Sequence, residues 1–278
     1  MTAPEFRVAG IGDVRTMLDW AEAEGWNPGL DDAEAFLAAD PSGFFIAQVD
    51  GAPVAAISVV NHSDAFAFLG LYICRREFRG QGIGFALWKH ALDHAGSRTV
   101  GLDGVAAQEA NYAKSGFVRS GATVRYEGCI EPLGATIVRD LQPTDVPAIL
   151  KLDADANKFS RTAFLAAWLT PTNLRKSVVL SSGPALTGFA TIRRCHAGVK
   201  IGPVVAPDPE TAFALMRAVL LRLPSTRVIA DVPSGNTAFS TLLAREGFSE
   251  TFATARMYRG RGPSQSAALM AIATMELG

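Results

Sequence analysis

Six consecutive residues, Arg79-Gly80-Gln81-Gly82-Ile83-Gly84, set three glycines and a cation between an apolar run, Phe66 to Cys74, and a stretch of helical spacing, Ala86, Leu87, His90, Ala91 and His94. Where a strand turns through glycines into a helix, the first helical turn offers unpaired NH groups and the positive end of the helix dipole. Glycines let a diphosphate approach those NH groups closely, and Arg79 adds charge. Tight strand-to-helix packing is the plain alternative. A Walker loop would need Gly-Lys-Ser/Thr, which is missing. A dinucleotide fingerprint would need a third glycine three residues after the second, where Phe85 stands, although Asp103 lies at a suitable distance downstream. Coenzyme A is the third reading.

These residues resemble the GNAT superfamily of acetyltransferases. Its diphosphate signature, Arg/Gln-x-x-Gly-x-Gly/Ala, is matched by Arg79, Gly82 and Gly84, and its later Tyr-x-Lys-x-Gly-Phe element by Tyr112-Ala113-Lys114-Ser115-Gly116-Phe117. The likeness covers residues 5 to 128 well and the rest in outline. Glu22-Ala23-Glu24-Gly25-Trp26-Asn27-Pro28-Gly29, Gly101-Leu102-Asp103-Gly104-Val105 and Ile201-Gly202-Pro203-Val204-Val205-Ala206 are similar to a tandem type, in which a full domain precedes a degenerate one. Arg76 stands where the family often has proline, and Val105 where many members have an asparagine that touches the coenzyme.

The resemblance implies acetyl-CoA as cosubstrate, no metal, and direct attack of a primary amine on the thioester in a ternary complex. It implies that the loop, Arg79, Gly80, Gln81, Gly82, Ile83 and Gly84, binds the diphosphate. Backbone groups of Ile73, Cys74 and Arg75 would bind the pantetheine arm, and one of their NH groups would polarise the carbonyl. Tyr112 would protonate the departing thiolate, unless it is simply a packed helix tyrosine. Glu22, Glu24 and Asp103 are the candidates for the base. Glu22 and Glu24 have the rival reading of a solvated helix face, and Asp103 that of a structural residue, because Asp231 repeats it. Trp26 and Asn27 fall in the loop that lines the acceptor pocket in this family, with a Trp that pins the loop as the alternative. A noncatalytic acyl-CoA-binding scaffold is the reading from another class.

The elements that must position these residues are written twice. Arg7 repeats as Arg139, Asp13-Val14 as Asp145-Val146, Gly70 as Gly202 and Tyr126 as Tyr258, all at a shift of 132, and Gly116-Phe117 repeats as Gly247-Phe248 at 131. A duplicated unit of about 130 residues follows. The expected domains are 1–130, catalytic, and 135–278, degenerate. Each is an α/β or α+β unit in which helices flank a mixed, mostly antiparallel twisted sheet. Within the first, Phe44 to Val49 and Val54 to Val60 read as a hairpin about Asp50-Gly51, Asp31-Asp32 as helix caps, and two short strands close the unit near Tyr126. In the second, Thr211, Ala212, Ala214 and Met216 stand in place of Arg79, Gly80, Gly82 and Gly84, and Asp208 and Glu210 put negative charge nearby. That half is expected to bind no coenzyme, and to cover the acceptor cleft, supply specificity or pair two copies as a homodimer. Ser266 to Leu277 reads as an apolar, helical tail.

Composition fits this picture. The 278 residues are 49% hydrophobic, enough for two ordinary cores, and 26 basic against 27 acidic residues leave a net charge of -1 without a basic run for nucleic acid. Cys74, Cys129 and Cys195 form neither a disulfide framework nor a metal motif, and the four histidines show no metal spacing. With no signal pattern and no long apolar span, a cytoplasmic protein acting on a small molecule, away from membranes, is the expectation.

Overall fold

In the computed structural model, which describes residues 3–183, 185–264 and 266–278, the first half opens with β1 (Glu5–Val8), α1 (Ile11–Ala23) and α2 (Asp32–Ala39). Val14, Met17, Leu18 and Ala21 are the buried stripe of α1 that their spacing predicts. β2 (Phe44–Val49) and β3 (Ala52–Asn61) form the hairpin, and Asp50 and Gly51 take the positive φ values, 50° and 77°, that a two-residue turn requires. β4 (Phe66–Cys74), α3 (Ile83–Ala95), β5 (Thr99–Gly104), α4 (Glu109–Lys114) and β6 (Val118–Gly128) complete the half. β6 is one strand of 11 residues, where the sequence suggests two short ones.

The second half repeats the order: β7 (Val138–Asp140), α5 (Val146–Asn157), α6 (Thr162–Leu169), β8 (Arg175–Ser182) and β9 (Ala185–Arg194). Then come β10 (Val199–Val205), α7 (Pro209–Leu220), β11 (Val228–Pro233), α8 (Thr237–Arg245) and β12 (Ser249–Arg259). A further strand, β13 (Leu269–Ala271), lies along β10, so the tail expected to be helical is instead a short strand followed by a turn over Met275 to Leu277, buried from Leu269 onward. Its apolar run has no polar face for solvent. It therefore fills space between elements rather than lying on a surface.

The strands join in one sheet, in the order β1-β2-β3-β4-β5-β12-β6-β11-β10-β9-β8-β7. It is mixed and mostly antiparallel, the parallel pairs being β4 with β5 and β10 with β11. Each half hands its last strand to the other: β12 pairs with β5, and β6 pairs with β11. The two exchanged strands run side by side, and Thr123 lies directly opposite its own repeat, Thr254, so a pseudo-two-fold axis passes between them. The segments 1–130 and 135–278 meet just after β6, and the sheet runs through that junction unbroken.

That axis explains several repeated residues. Arg125 on β6 makes a bidentate pair with Asp231 on β11, at 2.7 and 2.9 Å, while Arg256 on β12 does the same with Asp103 on β5, at 2.8 and 2.6 Å. Each exchanged strand is thus tied by a buried ion pair to the half that receives it. Arg7 with Asp13 and Arg139 with Asp145 are likewise the same bond made twice, with each aspartate also accepting a main-chain NH ahead of its helix. Asp31 and Asp32 do not cap α2 through their side chains. They turn to Arg175 and Arg193 of the second half, and one apolar core runs from α1 and α2 into α5 and α6 around the buried Trp168.

Candidate functional site

β4 and β5 stay in register only from Phe66 opposite Thr99 to Leu69 opposite Leu102. Beyond Leu69, β4 runs on to Cys74 with that edge open. Arg75 NH donates to Val54 O of β3, so by strand alternation the main-chain groups of Cys74 and Tyr72 turn the other way, to the open edge. Of the three expected arm-binding residues, Cys74 therefore presents its backbone to the gap. Ile73 and Arg75 direct theirs to β3, and Tyr72 is the other residue whose backbone turns to the gap.

The loop follows at once. Gly80 and Gly82 have φ of 76° and 81°, a left-handed conformation that costs glycine little, and Gly82 is the cap residue of α3 without a side-chain cap bond. The NH groups of the first helical turn are left for a ligand. Gly84 has a second reason to lack a side chain, because a Cβ there would come within 2.7 Å of the Tyr72 hydroxyl. Arg79 bridges the loop to its surroundings, donating from Nε to Cys74 O at 2.8 Å and from a terminal nitrogen to Glu24 Oε1 at 2.6 Å. Gln81 donates back to Glu77 O, and the Ile83 side chain is core, so these two support the loop rather than line the space before it.

A cavity of ≈ 500 Å³ opens from this parting. Tyr112 lines it from α4, stacked on Trp88 with ring centroids 5.3 Å apart, and Gly104 carries no Cβ because the Tyr112 ring occupies that place. Burial, with Tyr72 close by, pushes the Tyr112 hydroxyl up to about 12, so it keeps its proton at neutral pH, and it makes no hydrogen bond among the described residues. Burial also pushes the Cys74 thiol up, away from the thiolate. The far wall belongs to the exchanged strands and the tail: Arg125, Phe252, Thr254, Met275 and Glu276.

Trp26, Glu24 and Asp103 also reach the cavity, while Glu22 and Asn27 do not. Glu22 is exposed on the solvent side of α1. Asn27 exchanges two hydrogen bonds of 3.0 Å with the main chain of Ala197 and so stitches its loop to the second half instead of facing an acceptor. Trp26 is fixed in the same way, its carbonyl accepting from Arg125 and from Lys200 Nζ at 3.1 and 3.2 Å. Asp103 has both oxygens on Arg256 and a third bond from Thr123 Oγ1, so three of its roughly four acceptor positions are taken and the remaining one is on Oδ2. Its repeat, Asp231, is bound the same way to Arg125. The wall residues from β12 and the tail escaped the sequence reading because their contacts span more than a hundred positions. The repetition of Asp103 as Asp231, at a shift of 128, and of Arg125 as Arg256, at 131, is the one sequence signal that could have found them.

In the second half the corresponding helix start is closed. Asp208 Oδ1 accepts from Thr211 NH at 2.7 Å, capping α7 with its own carboxylate, and β13 lies in the gap between β10 and β11, where Ile272 NH donates to Asp231 O. Among the described residues no cluster of His, Cys, Asp or Glu is placed to hold a metal ion, and no helix is long and apolar enough to cross a membrane.

Comparison with known proteins matches two segments to acetyltransferase models: residues 11–117 to the acetyltransferase (GNAT) family and residues 149–270 to an acetyltransferase (GNAT) domain. The chain is 35% identical, over 97% of its length and 93% of the relative's, to holothin acyltransferase of a Pseudoalteromonas species. Among solved structures, a putative acetyltransferase from Pyrococcus horikoshii superposes with a TM-score of 0.82 at 21% identity, covering 100% of this chain and 97% of the other. A tandem GNAT protein from the clavulanic acid biosynthesis pathway gives 0.63 at 16% identity, covering 95% and 100%.

Proposed function

The chain belongs to the GNAT acyltransferase family as a tandem protein, and from that premise we propose that it transfers an acetyl group from acetyl-CoA to a primary amine of a small molecule. The observation that carries this reading is the parting of β4 from β5 at the point where the glycine loop, the Tyr112 hydroxyl and the cavity meet. The diphosphate lies on the NH groups of the first turn of α3 beside Arg79, which leaves Glu24 for the phosphate oxygens. The pantetheine arm takes the open edge of β4, and the NH of Cys74 or Tyr72 faces the thioester oxygen as it gains charge, an interaction worth a few kcal/mol in transition states of this kind. The proton for the departing sulfur comes from Tyr112, whose environment keeps it protonated. Cys74 stays a thiol, which favours direct attack by the amine over an acyl-cysteine route.

The acceptor enters from the side walled by Trp26, Phe252 and Met275, which fits a small apolar or flat amine better than a peptide. The 35% identical relative is a holothin acyltransferase, and holothin is the first acceptor to test. The second half, its helix start capped by Asp208 and its strand gap filled by β13, serves as the acceptor wall and binds no coenzyme.

The test is release of free coenzyme A thiol by the full chain with acetyl-CoA and a panel of holothin, amino acids, polyamines and aminoglycosides, with the product identified by its mass gain. Turnover of at least one small amine is expected. Binding of acetyl-CoA with no thiol release across the panel would instead indicate a scaffold that holds acyl-CoA.

A further inference from the structure

Among the described residues three carboxylates reach the cavity: Glu24, Asp103 and Glu276. Glu24 is bound to Arg79, and Asp103 has both oxygens on Arg256. Glu276 differs. Its main chain is wedged against β4 where the strands part, since a Cβ on Gly70 would overlap the Glu276 carbonyl oxygen. One carboxylate oxygen, Oε2, accepts from the buried Thr274 hydroxyl, and that hydroxyl in turn accepts from Glu276 NH at 3.1 Å. The other, Oε1, has no partner among the described residues, yet is not among the sealed, unsatisfied atoms. In a residue only 4% exposed that lines the cavity, it opens on the cavity.

The groups that face Glu276 come from several elements: Arg193 on β9, Lys200 on β10, Arg125 on β6 and Asp32 on α2. Arg125 is already held by Asp231 and Arg193 by Asp32, while Lys200 Nζ donates to Trp26 O. Among the described residues Glu276 is therefore the one cavity carboxylate without an ion-pair partner, and it sits outside both segments matched to acetyltransferase models, 11–117 and 149–270.

We propose that Glu276, carried by the last residues of the chain, is the catalytic base that accepts the proton of the acceptor amine. The assignment rests on the amine acetylation proposed above. As the amine nitrogen forms its bond to the acetyl carbon and the carbon–sulfur bond breaks, the surplus N–H proton passes to Oε1 and sulfur takes the Tyr112 proton. Glu276 then releases its proton to solvent and Tyr112 regains one, so no proton is consumed beyond the exchange of amine for thiol. Burial pushes the Glu276 carboxyl up, against the pull of Lys200, Arg193 and Arg125. The active carboxylate is accordingly lost as pH falls through that raised value, and the rate falls with it.

The experiment compares the full-length chain with Glu276→Gln and Glu276→Asp, using acetyl-CoA and holothin, or the best amine of the panel, as substrates. For Glu276→Gln, kcat should fall about a hundredfold or more, as loss of a general base does, with acetyl-CoA affinity by calorimetry kept and the acid limb of the pH–rate profile gone. Glu276→Asp should keep an acid limb at intermediate kcat. Wild-type-like kcat with an unchanged acid limb in the Gln variant would overturn the assignment. So would equal losses of kcat and acetyl-CoA affinity in both variants, which mark a wedge and not a base. Should the Gln variant not fold, the Asp variant decides, and a profile identical to wild type overturns the proposal. A wild-type chain that binds acetyl-CoA but turns over no amine sinks the acetylation reading, and the base with it, whereas an active Gln variant sinks the base alone.

Discussion

Tyr112 and Glu276 face one cavity with opposite proposed tasks, and what separates them is local environment. Tyr112 is packed on Trp88 with Tyr72 close by, a buried setting that holds its proton on, and Tyr112→Phe should lower kcat by about a hundredfold to a thousandfold, within the range of general acid catalysis, while acetyl-CoA binding by calorimetry stays unchanged. Unchanged turnover would remove the acid role. A second titrating residue lies away from the site. The His62 ring packs against Phe66, Phe159 and Phe164, bonds Leu277 O at 2.8 Å through Nε2 and leaves Nδ1 sealed without a partner. Burial lowers its pKa to about 4. The unfolded chain then binds a proton that the native state refuses between the ordinary histidine value and 4, so stability falls as pH drops through that window, by about 1–2 kcal/mol between pH 7 and pH 5. In urea unfolding, His62→Gln should lose this part of the pH dependence, and a difference of wild-type size in that variant would contradict it. Arg79, the three glycines and Tyr112 were legible in the sequence because each motif is local. The pairing of Asp103 with Arg256 was not, since the partners stand 153 positions apart.

At the scale of elements, α3 and α7 start alike, with Asp208 before α7 where Gly82 stands before α3, a shift of 126 rather than 132, so Thr211 to Met216 lie inside α7 and not in the place of the loop as the sequence suggests. Gly82 leaves the first turn of α3 open, while Asp208 caps that of α7 with two bonds to Thr211. Asp208→Ala should cost about 1 kcal/mol of stability, as loss of such a cap usually does, and leave acetyl-CoA binding untouched. A marked gain or loss of coenzyme affinity in that variant would contradict the assignment of binding to the first half. The hairpin and the buried face of α1 followed from period and turn residues alone. The tail did not, because a short apolar run suits a buried strand as well as a helix, and only the gap between β10 and β11 selects the strand.

Across the whole molecule, the exchange of β6 and β12 makes the cavity a shared product of both halves. The repeat offset revealed two copies. It did not reveal that each completes the other, because an exchanged strand keeps the same sequence pattern as one that stays. Breaking the tie tests its weight: Arg256→Met leaves Asp103 buried and uncompensated, a change that costs about 3–5 kcal/mol in such pairs. Adding Asp103→Leu should restore much of that stability in urea unfolding, and a double variant no more stable than the single one would show that the pair is not coupled. Since Arg256 lies 131 residues beyond Arg125, its repeat, the same argument holds on the other side of the axis for Arg125 and Asp231.

One coenzyme site, on the loop of the first half, is the central expectation for a chain with two segments matched to acetyltransferase models. Titration calorimetry of the full chain with acetyl-CoA tests it directly. One site per chain is predicted, weakened at least about tenfold, or about 1.4 kcal/mol, by Arg79→Glu. Two equivalent sites, or a single site that Arg79→Glu leaves unchanged, would contradict it.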